Sequence, residues 1–332
     1  MSPRTRSWGW LAPAMVLIAG LVVPAQAQEW RMATKMPPSG PDGESFQYFA
    51  DKVKEYSRGK LTINVYPSEQ LGKTRATLEQ LSAGIIHLYP EGSDLLNNWV
   101  PEMEYVYAPF LYDSREHWLR FMRSDLVKGW LAEIEDKAGV IVLGDITTFM
   151  KGPYRVMSTK RPMKSLADME GLKIRMFPND LVVDAYTHLG AEVRILAWTE
   201  VYESMRRGIV EAVTHPISLV EPMKFNELVS DVVRTDEFHQ SVAFMLNAKA
   251  YRDLAPDVRS AVDRAFVDAA EFSLRITLDY TDEMIARLKK QGIRFYSIDP
   301  TEFVDRMRGF YAERERAGEL PDGFMATVAA TR

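Results

Sequence analysis

The sequence predicts an α/β protein with two lobes of similar organisation. Two blocks of alternating strands and helices follow one another along the chain, and a long segment without internal glycine or proline, residues 256–291, comes after them. The chain has 332 residues, which is enough for two domains. It contains no cysteine, so the core of each lobe has to hold without disulfides.

The first block covers residues 30–89. Its predicted elements are, in order, a strand over 30–35, a helix over 45–57, a strand over 61–66, a helix over 73–83 and a strand over 85–89. The first helix carries an apolar face that runs from Phe46 to Val53, and Gly84 stops the second helix. This β-α-β-α-β order is typical of a parallel sheet covered by helices.

The second block repeats the alternation over residues 172–213. A helix over 117–137 and a strand over 140–146 lie between the two blocks. The predicted elements of the second block are a strand over 172–177, a helix over 179–189, a strand over 192–196, a helix over 199–207 and a strand over 209–213. Two similar blocks therefore predict two α/β lobes.

The long segment after the second block is predicted to be a single helix. Pro256 stands in its first turn and Gly292 at its end, which are favoured boundary residues. Its apolar residues do not keep a heptad register, which argues against a coiled coil. At about 1.5 Å per residue the helix is longer than one lobe needs, so we expect it to cross both lobes. A strand over 294–298 and a helix over 301–318 follow it.

The N-terminus has the features of a secretory signal peptide. Arg4 and Arg6 precede an apolar stretch over 10–23, and Ala25-Gln26-Ala27 offers a small-x-small cleavage site. We therefore expect residues 1–27 to be removed on export. No cysteine follows the apolar stretch, which excludes a lipid anchor, and no later run is long enough to span a bilayer, so we expect a soluble exported protein.

Charge and composition narrow the function classes. The formal net charge is −5 and becomes −7 when Arg4 and Arg6 leave with the signal peptide. A mildly acidic chain without a basic tract argues against nucleic acid as a partner. The five histidines are too far apart for a paired-histidine metal motif, and cysteine ligands are absent. The sequence thus predicts no cofactor and demands no metal.

Two arginines are the main candidate binding residues. Arg155 and Arg175 each stand at one end of a β-like run, with a turn-rich connection between them. An arginine fork holds a carboxylate through two parallel charge-assisted hydrogen bonds, so two of them in one cleft would clamp an organic anion. The alternative is that both lie on the surface, as most arginines do.

Five stretches carry a resemblance to a known family. They are Phe49–Gly72, Ala108–Leu111 (A-P-F-L), Arg155–Arg175, Trp198–Val213 and the long C-terminal helix. In this order they resemble the substrate-binding subunit of tripartite ATP-independent periplasmic (TRAP) transporters, of the DctP type. The resemblance covers nearly the whole chain after the signal peptide.

The resemblance implies a two-lobed periplasmic-binding-protein fold, type II-like, with the long helix spanning both lobes. Lobe I would comprise residues 28–152 plus about 239–275, and lobe II residues 153–238 plus about 276–332. The ligand cleft would lie between them.

The resemblance also implies a set of binding residues. Arg175 matches the arginine that pairs with the ligand carboxylate, and Arg155 matches a second, supporting charge. His215 stands where the family often has asparagine, and Glu91 matches an acidic cleft residue of some members. As alternatives, His215 would be a structural hydrogen bonder and Glu91 a cap.

Three aromatic residues complete the implied site. Trp198 matches a cleft position that is frequently aromatic, and Tyr89 and Phe177 are plausible neighbours. Without the resemblance, Trp198 would be interpreted as core packing.

The implied function is the capture of an organic acid in the periplasm by a monomeric, non-enzymatic protein. Closure of the lobes would then present the acid to the membrane permease subunits. A secreted hydrolase is the alternative: G-x-S-x-G and H-E-x-x-H are absent, but a triad assembled in space stays open. A subunit that presents its ligand to a sensor is a third possibility. C4-dicarboxylates, sugar acids, hydroxy or keto acids and aromatic acids all remain candidates, with a slight preference for a ring or a hydroxylated body.

Overall fold

The computed structural model describes residues 27–332, and its strands form two separate sheets. The predicted signal peptide lies outside the described residues except for Ala27. The strands are β1 Gln28–Ala33, β2 Leu61–Tyr66, β3 Leu88–Gly92, β4 Val140–Val142, β5 Arg155–Thr159, β6 Lys173–Met176, β7 Glu192–Ile195, β8 Ala212–Pro216, β9 Asp231–Arg234, β10 Val242–Asn247 and β11 Arg294–Ser297.

Helices cover both sheets. The α-helices are α1 Pro41–Tyr56, α2 Thr74–Ser82, α3 Arg115–Met122, α4 Asp125–Ala138, α5 Asp180–His188, α6 Val201–Arg206, α7 Ala248–Arg252, α8 Pro256–Lys290, α9 Thr301–Ala317 and α10 Phe324–Ala330. Over residues 27–332, none of them is both long and apolar enough to cross a membrane.

In each sheet all strands but one run in the same direction. The first sheet has the order β2-β1-β3-β10-β4, with β10 antiparallel to β3 and β4. The second has the order β11-β9-β5-β8-β6-β7, with β5 antiparallel to β8 and β9. The two α/β lobes are thus confirmed, and the strands of the first block, β1, β2 and β3, are parallel as predicted. The chain crosses between the sheets three times: before β5, before β10 and, through α8, before β11. The strands β5 and β10 are the ones that run antiparallel to both of their neighbours.

The core consists of two large apolar clusters, each of which draws on residues of both sheets. One contains α1 and α8, which pack against each other. There Phe244 of β10 lies with its ring centre 5.2 Å from that of Phe49 and 5.1 Å from that of Phe266. Edge-to-face aromatic pairs of this kind each contribute about 0.5–1.5 kcal/mol beyond the burial of their surface.

The long helix α8 contacts both lobes, as predicted. Near its middle, Asp268 accepts a hydrogen bond from Tyr56 at the end of α1. Three turns further on, Tyr280 donates to Glu221, which follows β8, at 2.9 Å. The predicted ends of α8 agree with the structure to within a residue.

Other predicted boundaries needed correction. The helix expected over 117–137 is two helices, because Ser124 caps α4 by accepting a hydrogen bond from the Val127 amide. The strand expected over 85–89 is β3, three residues later. Gly84 adopts a left-handed φ of +70°, and the turn it opens leaves Ile85 about half exposed. The residue boundaries of the lobes remain a prediction.

Candidate ligand-binding site

A cavity lies between the two sheets, where strand ends of one sheet face strand ends of the other. The parallel strands β6 and β8 end at this edge, and β5, being antiparallel, begins there. In the first sheet, the parallel strands β1 and β3 likewise end at the cavity, and the antiparallel strand β10 begins there. The cavity has a volume of about 410 Å³, which includes the part that is open to solvent. Carboxyl-terminal strand edges are where open α/β sheets bind ligands.

We name the two sides of the cavity by their cations. The arginine wall belongs to the second sheet and comprises Arg155, Arg175, Phe177, Trp198, Thr214 and His215. The lysine wall belongs to the first sheet and comprises Lys35, Gly92, Asp94 and Lys151, the last from the crossing before β5. Gln240, on the crossing before β10, closes the cavity between the walls.

Arg175 is a buried cation without a protein anion as its partner. It is the third residue of β6, and its Nε and Nη2 donate to the Leu196 carbonyl at 3.0 and 2.9 Å. Its guanidinium carbon lies 5.1 Å from the ring centre of Trp198. Within residues 27–332 it forms no ion pair. Burial, and after it the like charge of Arg155, lower the pKa of Arg175 to about 9. The group is still charged at neutral pH, so an anion entering the cavity would stabilise it.

Arg155, in contrast, already has protein partners on all three nitrogens. Its Nε pairs with Glu237 at 2.8 Å, Nη1 donates to Gln240 and Nη2 donates to Thr214 at 3.1 Å. The ring centre of Phe238 lies 4.2 Å from the guanidinium carbon. Arg155 therefore brings a largely neutralised charge to the cavity and also holds the crossing before β10 in place.

His215 lines the cavity, but both of its ring nitrogens are occupied. The Nδ1 atom lies 2.8 Å from the Pro216 carbonyl and the Nε2 atom lies 2.8 Å from the Ser158 hydroxyl. A carbonyl only accepts, so Nδ1 carries the proton and Nε2 accepts from Ser158. Burial lowers the pKa of His215 to about 3. The ring is therefore neutral, and both of its nitrogens hydrogen-bond to groups of the protein, as in the structural alternative.

Glu91 does not line the cavity; it organises the lysine wall from behind. Its fully buried carboxylate accepts hydrogen bonds from Thr34, from the Lys35 amide and from Lys151 at 3.1–3.2 Å, and the Lys35 ammonium lies at 3.3 Å. Burial alone would raise the pKa of Glu91, but the charges of Lys151 and Lys35 outweigh burial and lower it. The alternative of a helix cap is not what the carboxylate does here.

Asp94 is a lining residue that the sequence did not suggest. It lies in the 3₁₀ helix Ser93–Asn98 after β3, and only 4% of it is exposed. A Cβ atom at Gly92 would lie 2.4 Å from its Oδ1 atom, so the glycine makes room for the carboxylate. Burial raises the pKa of Asp94 to about 6, although Lys35 and Lys151 act in the opposite direction.

Of the three predicted aromatic residues, two line the cavity and one lies behind it. Trp198 and Phe177 line the cavity, whereas Tyr89 is buried in β3 behind the lysine wall. The structure therefore brings five of the seven predicted residues to one cavity and places Tyr89 and Glu91 behind it. Their roles in ligand binding remain predictions. Residues 27–332 contain no cluster of three or more side chains able to hold a metal ion.

Two lobes with a charged, buried cavity between their sheet edges define a solute-binding protein. Residues 32–316 match the model of the family described as "Bacterial extracellular solute-binding protein, family 7", or DctP, and the chain belongs to this family. The predicted family is thus confirmed. Its members bind substrates and are not enzymes.

Individual relatives are distant. A solute-binding protein of Roseobacter denitrificans is 27% identical over 255 residues, 77% of each chain. The C4-dicarboxylate-binding periplasmic protein DctP of Rhodobacter capsulatus is 24% identical over 290 residues, 86% of each chain. A solved TRAP solute-binding protein from Ochrobacterium anthropi, with bound L-fuconate, has a TM-score of 0.82 at 22% identity and covers 92% of this chain and 99% of its own.

Proposed function

We propose that this protein binds an organic acid by its carboxylate in the cavity between the lobes and delivers it to the membrane subunits of a TRAP transporter. The observation that carries the proposal is Arg175, a buried guanidinium that lacks a carboxylate partner within residues 27–332. A carboxylate that leaves water for such a site needs a charged donor, and an arginine fork satisfies both of its oxygens.

The relatives support this ligand class. The DctP protein of Rhodobacter capsulatus is named for C4-dicarboxylates, and the Ochrobacterium anthropi structure contains L-fuconate, a sugar acid. In our proposal Arg175 is the main anchor, Arg155 the supporting charge, and Trp198, Phe177 and His215 shape the rest of the pocket. The N-terminal signal peptide would direct the protein to the periplasm, where it acts as a monomer.

The mechanism we propose is closure of lobe I, residues 28–152 plus about 239–275, over lobe II, residues 153–238 plus about 276–332. A ligand that contacts both walls favours the closed form by its differential affinity for that form. Among the contacts between the lobes are two surface side-chain pairs. Thr199 donates to Glu69, and Lys73 pairs with Glu200. These pairs would open with the lobes and add to the stability of the closed form.

A thermal-shift screen against an organic-acid library tests the proposal. A ligand at 100 times its Kd stabilises the folded state by about 2.7 kcal/mol, so a specific acid is expected to raise the Tm by several degrees. Titration calorimetry should then give one ligand per chain. Proton NMR of the mixture after overnight incubation should show the acid unchanged. Absence of binding to any acid, or conversion of the acid into a product as expected for a hydrolase, would contradict the proposal.

A further inference from the structure

Asp94 is an unpaired acceptor that faces the ligand space. Its side chain accepts no hydrogen bond from another residue in the part of the chain that the structure describes, yet it is almost completely buried and lines the cavity. Buried carboxylates ordinarily have donors, because an unsatisfied charged group in a low-dielectric site is costly. A ligand donor would remove that cost.

The charges of the two walls differ in sign once their protein partners are counted. On the arginine side, Arg155 and Arg175 have one ion-paired carboxylate, that of Glu237, which leaves one positive charge, and Asp94 attracts Arg175 from the other side of the cavity. On the lysine side, Lys35 and Lys151 share Glu91, with Asp42 and Asp94 as further carboxylates, so no positive charge is left over. The arginine wall can therefore balance one ligand carboxylate, whereas the lysine wall, with two cations and three carboxylates, offers no charge for a second one.

Lys35 and Lys151 are not free to bind the second carboxylate of a dicarboxylate ligand. Both ammonium groups lie on the same Oε2 atom of Glu91, at 3.3 Å for Lys35 and 3.2 Å for Lys151. A second carboxylate at this wall would also meet Asp94, and like charges at close range in a buried site repel strongly. A hydroxyl group, in contrast, can donate to Asp94 and accept from a lysine.

We infer that this site selects a hydroxylated monocarboxylate, with the carboxylate on Arg175 and a ligand hydroxyl donating to Asp94, and that it rejects dicarboxylates. The inference rests on the proposed function and names the substrate class of that same cavity. Asp94 is thus the residue that determines specificity, while Arg175 provides the affinity common to all carboxylates.

Two matched sets of acids test the preference for hydroxyl groups and the rejection of a second carboxylate separately. The four-carbon set is butanoate, erythronate, succinate and tartrate, and the six-carbon set is hexanoate, gluconate, adipate and galactarate. Each set combines one or two carboxylates with hydroxyls present or absent. Calorimetry at pH 7.5 on the wild-type protein should rank the hydroxylated monocarboxylate first within its set, at least about tenfold ahead of the dicarboxylates.

Asp94→Asn tests the residue itself. A neutral amide is a weaker acceptor and does not repel an anion. The variant should therefore bind the hydroxylated monocarboxylate about tenfold more weakly and the matched dicarboxylate more tightly. Asp42→Asn is the matched control. Asp42 is also a buried carboxylate near Lys151 and Lys35, but it does not line the cavity. Its replacement should leave the preference for hydroxylated over unsubstituted acids unchanged.

The outcomes are distinguishable. If the wild-type protein binds acids but prefers a dicarboxylate or an unsubstituted acid, the inference is wrong and the proposed function stands. The same conclusion follows if Asp94→Asn leaves the ranking unchanged, or if Asp42→Asn changes the preference as much as Asp94→Asn does. If none of the eight acids and no library acid binds, the proposed function fails and the inference fails with it.

Discussion

The two walls of the cavity each contain two cations, but they use them differently. On the arginine wall one cation, Arg155, is paired with Glu237, and the other, Arg175, has no protein anion among the described residues. On the lysine wall both cations share one carboxylate, and a further carboxylate, that of Asp94, has no donor from another residue in the described part of the chain. A positively charged residue in a cleft is therefore not by itself a binding group. What matters is which charges the protein leaves unpaired.

The arginine wall provides the strongest test of this contrast. Arg175→Met should lower the affinity for the best ligand by at least about 100-fold, roughly 3 kcal/mol, because it removes the unpaired cation. The fold should persist, since no protein anion loses its partner. Titration calorimetry and circular dichroism measure the two effects. Arg175→Lys is the control: a single ammonium should recover only part of the affinity, because it cannot form the bidentate pair. Unchanged affinity in Arg175→Met would refute the anchor.

The lysine wall should respond in the opposite way, through stability. Glu91→Gln leaves two buried ammonium groups without their common partner, which should reduce the free energy of unfolding by about 3 kcal/mol at pH 7. Chemical denaturation measures this loss. The folded-state pKa of Glu91 is lowered, so its contribution is present above its ordinary pKa of 4.5 and is lost as the pH falls further. The difference between variant and wild type should therefore shrink below about pH 4. A variant as stable as the wild type would show that Glu91 does not hold the wall together.

Asp94 should show the reverse sign, since its charge is unpaired. Its pKa is raised from 3.8 to about 6 in the folded protein. The folded state therefore loses stability as the pH rises through this interval and regains it below pH 3.8. Asp94→Asn should raise the free energy of unfolding of the ligand-free protein by about 2 kcal/mol at pH 7.5 and by little at pH 4. Denaturation curves at the two pH values check this. A destabilised variant at pH 7.5 would mean that the carboxylate has a donor.

The smallest effect on binding is expected at Arg155. Because its charge is largely neutralised, Arg155→Met should weaken binding only about tenfold. It should also destabilise the protein by leaving Glu237 unpaired. The double variant with Glu237→Gln should restore most of the stability without restoring the affinity. If Arg155→Met and Arg175→Met weaken binding equally, the proposed ranking of the two arginines is wrong.

Much of the fold could be predicted from local pattern. The apolar periodicity and the boundary residues Pro256 and Gly292 predicted α8, and alternating residues predicted β2 at its observed bounds. β10 was not predicted, because all of its residues are buried and an apolar run of that kind shows no period of two. The break at Ser124 was missed because the apolar pattern continues through it.

The candidate site residues that could be predicted from the sequence are those that stand at the ends of strands. Arg155, Arg175 and His215 lie at strand ends on one sheet edge, and the order of motifs was enough to single them out. Asp94 was missed even though it follows Glu91 by three residues, since its position in the cavity depends on the 3₁₀ turn after β3 and on the space left at Gly92. Glu91 was assigned to the cleft through the resemblance, and only the folded chain shows that Asp94 lines the cavity while Glu91 lies behind it.

Local patterns along this chain predicted its two α/β lobes and its long helix, and the resemblance carried by its motifs predicted its family and supported the arginines as a carboxylate site. Those features follow from local periodicity and from motifs that are contiguous along the chain. The pairing of Arg155 with Glu237, the occupied nitrogens of His215 and the unpaired carboxylate of Asp94 could be established only from the folded chain. They depend on contacts between residues that are far apart in sequence, and whether a charge is buried with or without a partner is a property of those contacts.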